Sequence, residues 1–294
     1  MFGKRQSLSD NLFDGVVFFL SVTILIIMAY PLYFVIIASF SDPTYVNTGK
    51  VWILPSHITL EGYERVIADT RIWRGYRNTI FYTIAGTLIS LLFTLPAAYA
   101  LSRKDLKGRN FLMMYFVFTM FFSGGLIPTY LTVNSFKLTN TIWVLIIPFS
   151  VSAYNLIISR TFFASTIPQE LLEAAIMDGC SNTRFFVSVV IPLSKAIIAV
   201  IGLYCAVGQW NQFFLSLVYV RSENLMPLQI VLRNLLLQYR FLETSASSNS
   251  TEIQRIADVI KYAVIIISTA PVMCFYPFIQ KYFTKGVMIG AVKG

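Results

Sequence analysis

Six long runs of the sequence contain no Asp, Glu, Lys, Arg or His: Gly15 to Ser41, Asn78 to Ser102, Asn110 to Phe136, Leu138 to Ser159, Ala196 to Val220 and Tyr262 to Gln280. A helix needs about 20 apolar residues to cross roughly 30 Å of hydrocarbon, and each run meets or nearly meets that length. Inside a bilayer every backbone amide must be paired within its own segment, and the runs show no two-residue alternation, so helices are favoured over a barrel. The expectation is an all-α polytopic membrane protein with six transmembrane helices in a single transmembrane domain, residues 1–294.

Composition agrees. The chain is 56% hydrophobic and 13% charged, against about 25% charged in soluble domains. Its formal charge of +9 suits nucleic acid or anionic lipid alike, and the hydropathy decides for membrane lipid and against nucleic acid. Cys180, Cys205 and Cys274 lie far apart, and His57 is the lone histidine. Neither a disulfide scaffold nor a metal site is expected, and His57 reads as a solvated loop residue.

The first run follows Lys4 and Arg5 but is too long for a signal peptide and is followed by no small-residue cleavage site, so it reads as an anchor. Pro31, Pro96, Pro128, Pro148 and Pro271 within the runs predict local bends or packing irregularities. Basic residues are nearly balanced between the two sides. The shortest loop, RKDLKGR from Arg103, carries four basic residues in seven, which places it inside. Both termini are then cytoplasmic, with outer loops at 42–77 and 221–261. The second contains a polar turn or flexible segment, TSASSNST from Thr244.

Residues 160–195 form the remaining inner loop, and from Thr166 it is punctuated as a helix. Thr166 and Gln169 fit a capping box, Pro168 suits the first turn, Glu170 and Glu173 lie near the positive end of the dipole, and Gly179 ends the helix. Leu171, Ala174, Ala175 and Asp178 recur at three- and four-residue spacing, which predicts one surface with small residues at its centre. On patterning alone an interfacial helix beneath the headgroups is the competing, lesser reading.

The segment Glu173-Ala174-Ala175, three residues, Gly179, nine residues, then Val189-x-Ile191-Pro192 resembles the EAA loop of ABC importer permeases. Leu54-Pro55-Ser56, Thr59-Leu60, Tyr63, Asn78 and AAYALSR from Ala97 resemble the carbohydrate branch, similar to the smaller maltose permease subunit. FFSGGLIPTYL from Phe121 and the terminal KGVMIGAVKG resemble the lipoprotein-associated polysaccharide permeases. The resemblance covers nearly the whole chain. It implies the type I importer permease fold, in a bacterial plasma (inner) membrane. It also implies four partners: a second permease subunit, an ABC ATPase dimer that binds ATP and Mg, an extracellular or periplasmic sugar-binding protein, and an oligosaccharide or polysaccharide fragment as substrate. Glu173, Ala174, Ala175, Asp178 and Gly179 would form the ATPase-coupling contact. Asp178 could instead cap the next helix, Arg184 could meet an acid of the ATPase or a lipid phosphate, and Lys285 and Lys293 lie in a tail that touches the ATPase in relatives.

No GxxxxGK[ST] occurs, since Gly3-Lys4 and Gly49-Lys50 are not followed by Ser or Thr, so ATP hydrolysis is expected in a separate subunit and this chain is not expected to be an enzyme. Uncharged spans argue against the rival reading, a secondary transporter driven by an ion gradient, although carbonyls alone can hold Na⁺. A non-transporting scaffold is the third reading. The substrate path is expected along the fifth run, where Tyr204, Gln209, Trp210, Asn211 and Gln212 cluster. Amides and aromatic faces suit sugars, although the same groups can simply bond between helices. Tyr154 and Asn155 are weaker candidates.

Overall fold

The structure is a computed structural model that describes residues 8–245 and 250–291. Lys293, the residues before Leu8 and the polar tract 246–249 lie outside the described residues, as does the side chain of Lys285. Among the described residues every regular element is helical, beside one isolated antiparallel bridge between Ser41 and Ile58. The elements fall into two units.

One unit joins residues 8–69 to 234–270. It holds α1 (Leu8–Ser39), α2 (Pro43–Asn47), α3 (Glu61–Ala68), most of α13 (Leu228–Ser245) and the first half of α14 (Ser250–Ala291). Asp42 starts α2 by accepting the Thr44 N–H at 2.8 Å, and Pro43 fills the first helical position, where its missing donor costs nothing. Gly62 lets α3 lie against α14, because a β-carbon there would sit 2.7 Å from the Val259 carbonyl oxygen. Arg255 clamps the same junction through Glu61 at 2.8 Å and Asp42 at 3.6 Å. Burial alone would raise the Glu61 carboxyl, but hydrogen bonds from Arg65 and Arg255 outweigh it and hold the group below its ordinary value.

The second unit runs from 70 to 233 and resumes at 271. Its helices are α4 (Thr70–Ser102), α5 (Arg109–Phe121), α6 (Leu126–Ser135), α7 (Ala153–Thr166), α8 (Gln169–Met177), α9 (Asn182–Phe185), α10 (Ile191–Leu193), α11 (Lys195–Trp210) and α12 (Phe214–Tyr219). Its core is built from Leu95, Ala98 and Tyr99 of α4, Leu156 and Phe163 of α7, Phe185 and Val190, and Ile197, Ile201 and Cys205 of α11. In lipid there is little hydrophobic drive between helices, so close van der Waals contact must do this work. Small residues permit it: Gly86, Ser90 and Ala98 on α4, and Gly202 on α11, which lies near Leu91.

Among the described residues three unbroken stretches, Leu12–Ser39, Thr70–Ser102 and Gln254–Cys274, are long and apolar enough to cross a membrane, and two bent helix pairs pass the same test together. The third uncharged run is not one rod: α5 and α6 meet at 116°. Gly125, at φ +81, makes that turn in a region closed to most side chains. The fourth run is not one helix either. A 3₁₀ turn at Ile142–Leu145 precedes an irregular stretch containing Pro148, and α7 begins only at Ala153. The fifth breaks after Trp210 before α12 resumes. A π-turn spans Phe186–Val190 ahead of Pro192, and the chain bends by 84° into α11. His57 is exposed and stacks on Tyr45 at 4.2 Å.

Candidate coupling helix and substrate path

Helix α8 is nine residues long and is held mainly at its ends. The expected capping box is absent: Thr166 is the last residue of α7, Pro168 occupies the N-cap, and Gln169 instead donates to Glu173 at 2.9 Å. The C-terminus follows expectation. Gly179 adopts φ +71, its N–H reaches the Ile176 carbonyl at 3.0 Å, and the Cys180 N–H reaches Ala175 at 2.9 Å, the paired bonds of a Schellman stop. Asp178 is the residue at that cap and does not start the next helix. Ser181 does so, accepting the Arg184 N–H at 3.3 Å.

Leu172 and Ala175 turn inward onto the core, whereas Glu173, Ala174, Asp178 and Gly179 are exposed. Ala175 is thus only half available to a partner, a correction to the single surface drawn from spacing. Leu171, Ile176 and Met177 are also exposed, Met177 at 87%. Ile176 and Met177 were missed from the sequence, although a helical wheel centred on Ala174 would have flagged them. An exposed apolar tip on a short, well-terminated helix is a surface suited to protein contact.

The basic loop also supports this segment. Arg103 pairs with Asp105 at 2.5 Å and donates to the Asn182 side chain at 2.6 Å, so it ties the end of α4 to the start of α9. The guanidinium holds the Asp105 carboxyl below its usual value, and the pairing raises Arg103 in turn.

The polar cluster of α11 divides between two sides. Tyr204 and Asn211 are seven residues apart and share an exposed face with Val207 and Gly208, whose added β-carbon would meet nothing within 4 Å. Asn211 satisfies itself on the Val207 carbonyl at 3.0 Å. Gln209 lies on the packed side, seated over Gly86 and donating to the Leu145 carbonyl at 3.3 Å, while its Oε1 is buried without a partner. Trp210 is buried, its ring 6.3 Å from that of Tyr76, and the Gln212 Oε1 is buried without a partner. The five residues therefore do not form one patch. A polar seam on α4 went unread: Thr83, Thr87 and Thr94 each bury a hydroxyl without a partner. Of the weaker candidates, Tyr154 is exposed and Asn155 donates to the Cys205 sulfur at 3.6 Å.

Comparison with known proteins identifies the family. Residues 72–289 match the family described as binding-protein-dependent transport system inner membrane component. The protein LplC of Bacillus subtilis is 41% identical, over 90% of this chain and 89% of its own. The polygalacturonan/rhamnogalacturonan transport system permease protein YtcP of the same organism is 37% identical over 98% of this chain and 100% of its own. A permease chain in the crystal structure of a bacterial ABC transporter involved in the import of the acidic polysaccharide alginate superposes with a TM-score of 0.84 at 34% identity, covering 94% of this chain and 98% of that one. These relatives lend no support to an ion-gradient carrier, and in such importers ATP is hydrolysed by a separate subunit. The chain belongs to the binding-protein-dependent transport system inner membrane component family and is a membrane-spanning permease subunit of an ABC importer.

Proposed function

We propose that this subunit forms, with a second permease, the translocation path for oligosaccharide or polysaccharide fragments, and that α8 receives the movement of an ATPase dimer that binds ATP and Mg. The observation that carries the coupling role is the short exposed helix with its glycine stop: a rigid rod transmits a rigid-body shift where a loose loop would absorb it. The glycan reading rests on the relatives, whose names specify polygalacturonan/rhamnogalacturonan, arabinooligosaccharides and alginate.

In this reading six spans return both termini to the cytoplasm, and a sugar-binding protein docks on the opposite side. Glu173, Ala174, Asp178 and Gly179 meet the ATPase, with Leu171, Ile176 and Met177 packing beside them. Tyr204 and Asn211 face the path, whereas Gln209, Trp210 and Gln212 brace it from the packed side. The test is uptake of labelled glycan fragments into vesicles holding the assembled importer. Uptake should require internal ATP and the binding protein and survive collapse of ion gradients. Gradient-driven uptake without ATP would defeat the proposal.

A further inference from the structure

The chain that leaves α1 folds back along it. Beyond α2, residues 50–54 return so that the Tyr30 hydroxyl donates to the Trp52 carbonyl at 3.3 Å and the Tyr33 hydroxyl donates to the Ile53 carbonyl. Those tyrosines precede Ser39 by one and a half to two and a half turns, so the segment lies about 10 Å back from the end of the helix at 1.5 Å per residue. Two further groups are satisfied locally. The Lys50 N–H reaches the Tyr45 carbonyl at 2.9 Å, and the Trp52 indole N–H reaches the Gly49 carbonyl at 2.5 Å. Pro55 follows and has no N–H to satisfy. Val51 turns inward, yet Trp52, Ile53 and Leu54 are 68%, 70% and 73% exposed.

We propose that residues 50–54 are a lipid hook, with Trp52, Ile53 and Leu54 seated at the boundary between headgroups and acyl chains in the leaflet at the Ser39 end of α1. The inference rests on α1 crossing the membrane and is independent of the role given to α8. Lipid is the occupant for three reasons. Trp52 and Ile53 lie beside Tyr30 and Tyr33 of α1, a helix that itself exposes apolar side chains there, including Leu32 and Ile36. Lipid tails offer no hydrogen bonds, and the two tyrosines remove that need for the Trp52 and Ile53 carbonyls. The combination is also that of a membrane interface: Trp and Tyr at the boundary, with exposed Lys50 beside them, its Nζ 5.4 Å from the Tyr45 ring, within reach of lipid phosphates.

The test is tryptophan fluorescence of the assembled importer in vesicles of phosphatidylcholine and phosphatidylglycerol with brominated acyl chains. Trp73, Trp143 and Trp210 are changed to Phe so that Trp52 is the one tryptophan of this chain, and the emission of the partner subunits is removed by subtracting the same assembly that also carries Trp52→Phe. Because Trp210 is buried, the same quantity is also taken as the difference between wild type and Trp52→Phe. Trp52 should emit to the blue of exposed indole and lose most of its intensity to bromines near the headgroups, less to deeper ones. Tyr33→Phe should weaken that quenching, and an unchanged value would overturn the role given to the tyrosine. Quenching of Trp52 by aqueous iodide in place of bromolipid would overturn the hook. Protection from both, with crosslinking of Trp52→Cys to the second permease, would overturn it in favour of a protein contact.

Discussion

Helix α8 and the seam between α4 and α11 belong to one unit but obey opposite rules. On α8 most side chains face outward, and its shape is fixed by a proline, a glycine and a serine at its edges. In the seam nearly every side chain meets another, glycine serves for close approach, and buried hydroxyls and amide oxygens stand without partners. The difference teaches that a residue's worth to this protein has two separate sources. Seam residues matter for whether the unit packs. Residues of α8 matter for what the unit meets.

The contrast breaks most visibly at Glu173. Glu173→Lys should reduce ATP-dependent uptake to background while the melting temperature of the purified chain stays put, since exposed substitutions usually change stability by less than about 0.5 kcal/mol. A fall in melting temperature matching the loss of uptake would erase the distinction. Gly86→Ala probes the other side. Its β-carbon would stand 2.5 Å from the Gln209 Nε2 and 3.0 Å from its Cγ, so the amide must leave the Leu145 carbonyl, at a cost of about 1–3 kcal/mol. Thermal unfolding should register that loss, and adding Gln209→Ala should recover part of it.

Gly179→Ala sharpens the contrast at a smaller scale. No atom lies within 4 Å of the new β-carbon, but the left-handed φ of +71 remains, costing about 1–2 kcal/mol. Uptake should fall several-fold, and Asn, which tolerates that conformation, should restore more of it than Ala. The smallest effect is expected at Asp105. Its carboxyl is held below its usual value by Arg103, so the stabilisation is complete above the ordinary carboxylate range and disappears as pH falls through and beneath it. Unfolding midpoints at neutral and mildly acid pH should differ slightly more in the wild type than in Asp105→Asn, which lacks the pairing at either pH.

The helical class and its apolar segments were legible because charge-free runs of such length leave few alternatives. The interruptions were not, although Gly124, Gly125 and Pro128 spell out the turn between α5 and α6: a run counted by missing charges looks the same whether straight or bent. The stop at Gly179 was readable because a left-handed residue has a local cause. The start of α8 was misread, since Thr166 has the composition of a cap but is the last residue of α7. The residues at 204–212 cluster in sequence because they are chain neighbours, whereas the 3.6-residue period sends Tyr204 and Gln209 to different sides. The tie from Arg103 to Asn182 joins residues too distant in the chain for spacing to reveal.

The π-turn at Phe186–Val190 sets the phase of what precedes it. It inserts one residue into a helical path, and a helix advances by about 100° per residue. The widened loop takes up that residue within a single turn, so deleting one there, such as Ser188, would relax it to ordinary winding and leave α9, with the rod ahead of it, near its present bearing, whereas a deletion from an ordinary turn would swing them through about 100°. A motor waiting at a fixed bearing would thus still find the same side chains in front of it after the first loss and the wrong ones after the second.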